Sequence, residues 1–171
     1  SKGVRLKTSS FQRLHINTLM TKAKSVGNYV NSVLAGLEAR KAGYDEAMLL
    51  DTDGYVAECS GENLFVIHGG TVYTPPGAAI LPGITRGTVM HILREEGIPI
   101  REERFPRDAT YLADEVFMTG TAAEITPVRE IDDRQVGPGT PGPITQAVQR
   151  QYAAIVRAED AAYHHWLTPV K

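Results

Sequence analysis

The stretch "AMLLDTDGYVAECSGENLFVIHGGTVYT", residues 47–74, decides the fold class. Ala47 to Leu50 is a short apolar run, and "DTDG" after it is turn chemistry. "NLFVIH" (63–68) and "TVYT" (71–74) flank a Gly-Gly pair, which predicts a hairpin. Three strands therefore follow one another with no helix between them.

Outward from this stretch the pattern is mixed. On the N-terminal side, residues 4–9 (VRLKTS) alternate like a strand. Residues 28–42 are expected to form a helix with Tyr29, Val33, Leu34 and Leu37 on its apolar stripe, Asn28 as its cap and Gly43 as its stop. On the C-terminal side, "PPGAAILPG" (75–83) is a loop, and Thr85 is placed to cap a helix that runs to Glu96 and stops at Gly97. Residues 98–104 and 114–120 are expected strands, 136–143 a Gly/Pro loop, and 144–159 a last helix. Its stripe is Ile144, Ala147, Val148, Tyr152, Ile155 and Val156. Strands outnumber helices and do not alternate strictly with them, so the expected class is α+β.

With 171 residues, the chain suits a single domain with a sizeable core. Its 18 basic residues nearly balance its 20 acidic ones, which argues against a nucleic-acid surface or an acidic membrane partner. No apolar run approaches the ~20 residues of a membrane span, and residues 1–10 lack the apolar segment of a signal peptide. One cysteine, Cys59, excludes an internal disulfide framework and fits a reducing, cytoplasmic compartment. His15, His68, His91, His164 and His165 lack metal-ligand spacing with a matching carboxylate, so no metal is expected.

Four stretches can carry chemistry. Lys22 and Lys24 precede the first helix. Two residues apart, they point to the same side of an extended segment, and composition cannot choose between them. A lysine amine becomes a nucleophile when burial or a neighbouring cation lowers its pKa, whereas two solvated surface lysines are the plain alternative. Glu58 and Glu62 flank a Cys-Ser-Gly step, where a carboxylate can hold a protonated ring nitrogen, or else lie solvated on a hairpin rim. "LPGITRG" (81–87) places a glycine and a threonine at a helix start, a ready anion site when it is more than an ordinary cap. "MTGTAAEITPV" (118–128) ends a strand in small residues that let backbone approach a ligand, with Thr121 offering a hydroxyl.

Together these stretches resemble the fold-type IV, or class IV, aminotransferases that use pyridoxal 5'-phosphate, and among them the branched-chain amino-acid aminotransferases. The resemblance runs through "KTSSFQR", "NTLMTKAKSVGNYVNSVLA", "GYDEAMLLDTDGYVAECSGENLF", "TPPGAAILPGITR" and "YLADEVFMTGTAAEITPV", from about residue 4 to residue 160. It implies a strand-rich pseudo-barrel with packed helices. It also implies Lys24, five residues before Tyr29, as the catalytic Schiff-base lysine, with Tyr29 on the cofactor's phenolic oxygen and Glu58 on its pyridine nitrogen. Arg13 falls near the cofactor, Leu81 and Gly83 on its ring face and phosphate loop, and Ile84, Thr85 and Thr121 on the phosphate. Thr121, Ala122 and Ala123 are implied to bind the substrate carboxylate.

The implied reaction moves an amino group from leucine, isoleucine or valine to 2-oxoglutarate. D-amino-acid aminotransferases, aminodeoxychorismate lyases and a non-catalytic cofactor-binding piece are the alternatives. The resemblance implies a smaller N-terminal domain, which is expected to lie outside these residues. Residues 1–171 are therefore expected to be the C-terminal, larger domain, inactive alone, of an enzyme that forms a homodimer or a multiple of dimers.

Overall fold

The computed structural model describes residues 2–170. Strand β1 (Val4–Thr8) is followed by a long irregular segment, a 3-10 turn and helix α1 (Tyr29–Lys41). Four strands come next: β2 (Glu46–Leu50), β3 (Val56–Cys59), β4 (Asn63–His68) and β5 (Thr71–Thr74). Helix α2 (Ile84–Glu95), β6 (Ile100–Glu102), the short α3 (Arg107–Tyr111), β7 (Glu115–Gly120), β8 (Glu124–Ile131), β9 (Arg134–Gln135) and α4 (Pro143–Val156) complete the chain. The class is α+β, as expected.

The strands form one mixed sheet in the order β3-β2-β1-β8-β7-β4-β5-β6, with β9 on β8. β1 is parallel to both β2 and β8, and β5 to β6, while the other pairs are antiparallel. The sheet curls on itself. Tyr55, just before β3, bridges Pro106, just beyond β6, and the Val56 N–H donates to the Phe105 carbonyl at 3.0 Å. The two edges are thereby joined, which leaves less unpaired edge for another chain to pair with. The arrangement is the expected pseudo-barrel.

Alternation along the strands divides the apolar residues between two faces. Leu6, Met48, Val56, Leu64, Val116 and Met118 fill the concave side. Phe65, Phe117, Val72 and Ile125 face outward and are covered by Val89 and Leu93 of α2 and Val148 of α4. Phe65 and Phe117 stack with centroids 4.9 Å apart across β4 and β7.

Several expectations need correction. α1 is a helix, but its bulky stripe is not its buried face. Val33 is 54% exposed and Leu37 44%, while Ser32, Ala35, Gly36 and Ala39 are buried. Small residues let the helix lie close on β2, where Ala35 and Ala39 meet Ala47 and Leu49. Neither expected cap is a side-chain cap: Asn28 makes no capping bond to α1, and α2 starts from Gly83 with Thr85 inside its first turn. The last helix ends at Val156, which is exposed, and the strand expected over 98–104 pairs only over Ile100–Glu102. β3 and β8 are not evident from the sequence. β8 contains Pro127, which argues against a central strand, yet its register with β1 begins only at Val128, so the missing N–H falls where β8 is paired on one side.

Candidate functional site

A cavity of about 260 Å³ opens among the segment before α1, the β3–β4 turn, the start of α2 and the end of β7. Each of these contributes chemistry because of how it is held.

The lysine segment is folded back by Asn28, whose side-chain amide donates to the carbonyls of Met20 and Ala23, both at 3.2 Å. Lys22 and Lys24 both border the cavity. Only Lys24 reaches Tyr29: its Nζ donates to the phenolic oxygen at 2.7 Å. The lysine is exposed and Tyr29 half-buried, so the amine stands at the mouth of the cavity and is tethered through a single side chain.

Glu58, on β3, has the opposite surroundings. Its side chain and that of Arg13 are each 8% exposed, and Arg13 Nε lies 2.6 Å from Glu58 Oε1. The contact is a charge contact more than an aligned hydrogen bond, because the Nε–H finds no well-directed acceptor. The Asn63 amide donates to Oε2 at 3.0 Å, and the Leu81 N–H approaches the same oxygen at 3.2 Å. Burial pushes the Glu58 carboxyl up to about 7, against the downward pull of Arg13 and the Leu81 N–H. A second cation placed against this carboxylate would favour its ionised form.

Asn63 also donates to the Leu81 carbonyl at 2.9 Å and so fixes the loop that leads into α2. Gly83 lies so close to the Asn63 amide oxygen that any side chain there would collide with it. The loop is secured from its other end by Arg86, whose Nη2 donates to the Pro75 carbonyl at 3.0 Å and to Glu102 at 2.9 Å. The first amides of α2, at Ile84 and Thr85, are presented to the cavity without intrahelical acceptors and with the positive end of the helix dipole behind them. The hydroxyls of Thr85 and Thr121 border the same space and bond no group among the described residues.

Arg13, Lys24, Tyr29, Glu58, Leu81, Gly83, Ile84, Thr85 and Thr121 thus converge on one cavity. Ala122 and Ala123 do not line it. They sit in the antiparallel turn that closes Gly120 onto Glu124, and Ala122 is exposed. Glu62 is not on a solvated rim: it is half-buried in the cavity lining, and burial first, then Glu46, pushes its carboxyl up to about 7. Asn63 and Thr119 escaped the sequence reading. Asn63 looks like the first residue of an apolar strand, and only its contacts with Glu58 and Leu81 reveal its role. Among the described residues no group of three or more His, Cys, Asp or Glu is arranged to hold a metal, and no helix is long and apolar enough to cross a membrane.

The donor set suits a planar aldehyde cofactor with a basic ring nitrogen and a phosphate. It offers an amine beside a phenol, a buried carboxyl, and a helix start ringed by free hydroxyls.

Comparison with known proteins points the same way. The chain is 51% identical over 169 residues to a branched-chain-amino-acid aminotransferase of Pseudomonas aeruginosa, and 46% identical to that of Escherichia coli K12. These matches cover 99% and 98% of the chain but 55% of each relative, so the chain spans about half the length of the curated relatives it matches. Among solved structures, the branched-chain aminotransferase of the archaeon Thermoproteus uzoniensis with norvaline superposes with a TM-score of 0.95 at 46% identity, over 99% of this chain and 56% of that one. The branched-chain amino acid aminotransferase of Thermobaculum terrenum in its PLP form gives 0.96 at 42% identity, over 99% and 56%. Residues 1–131 match the family described as Amino-transferase class IV. A match over most of the chain, on a cavity built from the residues that the family resemblance singles out, makes the conclusion plain: the chain belongs to the class IV aminotransferases.

Proposed function

We propose that the chain is the larger, cofactor-holding domain of a branched-chain amino-acid aminotransferase, working with a smaller domain. The enzyme would transfer the amino group of L-leucine, L-isoleucine or L-valine to 2-oxoglutarate in the cytoplasm as a dimer or multiple of dimers. The observation that carries the reading is the Lys24 amine on Tyr29, sharing one cavity with the buried Glu58. The identity of about half the residues with enzymes of that name supports the substrate class.

Pyridoxal 5'-phosphate, when bound, supplies the aldehyde that takes up an amino group and a ring that accepts electron density. The residues of this chain do the rest. Glu58, with Arg13 and Asn63 behind it, holds the ring nitrogen in its protonated form by a charge-assisted hydrogen bond. Tyr29 meets the phenolic oxygen and orients the Lys24 amine. Lys24 Nζ would remove the proton from the substrate α-carbon as general base and, in the same half-reaction, give it up as general acid on the cofactor side, with the two roles reversed in the return half-reaction. Ile84 and Thr85 take the phosphate on the α2 start, with Thr121 as a side-chain donor. Thr121 lies at the cavity edge, and the amides of the turn it begins, through Ala122 and Ala123, would meet the substrate carboxylate just outside the lining, while Leu81 and Gly83 would line the ring face and the phosphate loop.

Turnover by the full-length enzyme of L-leucine with 2-oxoglutarate, set beside D-alanine and 4-amino-4-deoxychorismate, tests the reading. Glutamate is expected from L-leucine alone. Pyruvate from D-alanine would move the protein to the D-amino-acid aminotransferases, and 4-aminobenzoate from the chorismate derivative would move it to the lyases.

A further inference from the structure

Thr119 is one of the polar residues lining the cavity that neither the mechanism above nor the resemblance uses. Thr119, on β7, is 1% exposed, and its hydroxyl has no hydrogen-bond partner among the described residues. It nevertheless lines the cavity with Thr85 and Thr121.

A buried hydroxyl without a partner is uncommon, because it forfeits the bonds it made to water. Thr119 pairs with Asn63 on β4 and with Ile125 on β8. The Asn63 amide nitrogen is engaged by Glu58 and by the Leu81 carbonyl, its amide oxygen makes no hydrogen bond with the Thr119 hydroxyl, and Ile125 is apolar. By strand alternation Thr119 shares its face with Phe117, the face covered by α2. It therefore lies under the helix whose first amides face the cavity, two residues before Thr121. A glycine separates the two threonines, and the Glu62 side chain lies against that glycine.

We propose that Thr119 is a third hydroxyl of the anion cup, donating to the phosphoryl group taken by the first turn of α2. The proposal rests on the reading above and adds to it a positioning contact at the phosphate end. Three threonine hydroxyls, two helix amides and no carboxylate bonded to any of them make a set of donors that a phosphoryl group, with its several acceptor oxygens, can satisfy at once.

Binding of three probes to the chain tests it: inorganic phosphate, pyridoxal 5'-phosphate and pyridoxal, each followed by calorimetry in phosphate-free buffer. Thr119→Val keeps the shape and removes the hydroxyl. It is expected to weaken inorganic phosphate and pyridoxal 5'-phosphate by about ten- to a hundredfold, the range for a hydrogen bond to a charged group. Pyridoxal affinity should not change, and Thr119→Ser should restore both phosphate-bearing ligands. The Tm of the ligand-free Thr119→Val chain should equal or exceed that of the parent, because a partnerless hydroxyl has been removed.

The proposal fails if Thr119→Val binds inorganic phosphate as the parent does, or loses pyridoxal by the same factor. It also fails if the variant lowers the ligand-free Tm while affinities hold, since the hydroxyl would then be structural. The reading beneath it fails separately. A parent chain that binds inorganic phosphate through Thr119, yet carries no borohydride-fixed pyridoxal phosphate on Lys24, keeps the cup and loses the aminotransferase.

Discussion

The lysine end and the carboxyl end of the cavity are held in opposite ways. Lys24 stands exposed on an irregular segment, and among the described residues its amine has one side-chain hydrogen-bond partner, Tyr29. Glu58 is buried on a strand and met by Arg13, Asn63 and the Leu81 amide. The contrast suits the roles proposed for the two groups. A base that must move between a covalent bond and a free proton carrier needs rotamer freedom, and a long lysine stem in the open retains it. A carboxylate that must stay against one ring atom is useful only when its position is set before the ring arrives, and a net of buried partners sets it. Pre-organisation is concentrated at the end that does not move.

The largest expected effect breaks the mobile end. In the full-length enzyme, Lys24→Ala should lower aminotransfer by at least about a hundred- to ten-thousandfold, the span for loss of a positioned general acid–base group. Lys22→Ala should change it little. Borohydride reduction after loading with pyridoxal phosphate, followed by peptide mapping, should find the label on Lys24. Label on Lys22 would reverse the assignment made from the Lys24–Tyr29 bond.

Next comes the fixed end. Glu58→Gln removes the counter-charge of a buried arginine, a change that costs about 3–5 kcal/mol when one partner of such a pair is lost. Chemical denaturation of the ligand-free chain should show that loss, less whatever fraction of Glu58 is already protonated. The acid dependence sharpens the test. Folded Glu58 and Glu62 ionise near about 7, above the ordinary glutamate value of about 4.3. The folded chain therefore holds protons that the unfolded chain has released, and stability should fall as pH rises through that window. Their contribution is fully present below the unfolded value and lost above the folded one. Asp51 and Asp132, whose carboxyls are lowered, contribute oppositely, at more acid pH. A Tm series from about pH 4.5 to about pH 8 should slope downward in the parent and flatten in Glu58→Gln and Glu62→Gln. A flat parent profile would mean that both carboxyls are ionised throughout, and that Arg13 outweighs burial.

The smallest effects compare the two faces of α1. Leu37→Gln, on the exposed bulky stripe, should change the stability of the isolated chain by no more than about 0.5 kcal/mol. Ala39→Leu, on the buried small face, should cost about 1–3 kcal/mol by overpacking against β2. Equal costs at the two positions would contradict the burial assigned to this helix.

Much of the local structure was legible in the sequence because its signals are local. The Gly69-Gly70 step, with both glycines in the left-handed region, turns β4 into β5, and Gly43 and Gly97 lie just past α1 and α2 with positive φ. Strand-rich order fixed the α+β class, and the Lys24-to-Tyr29 spacing, read by family resemblance, singled out the lysine that bonds the tyrosine. Nearest-neighbour chemistry suffices for each.

The tertiary structure decided the rest. Helical periodicity identifies an apolar stripe on α1 but not which side meets the sheet, and here close approach favoured the small residues over the large ones. β3 and β8 exist because neighbouring strands accept their hydrogen bonds, a pairing invisible in either segment alone. Asn63 and Thr119, far apart in sequence, become one ladder pair at the base of the cavity, and Arg13, near the start of the chain, meets Glu58 on β3. Burial, and with it the unusual acidity of Glu58 and the partnerless hydroxyl of Thr119, belongs to the packed arrangement, since dielectric and hydrogen-bond supply are properties of surroundings that no single residue carries.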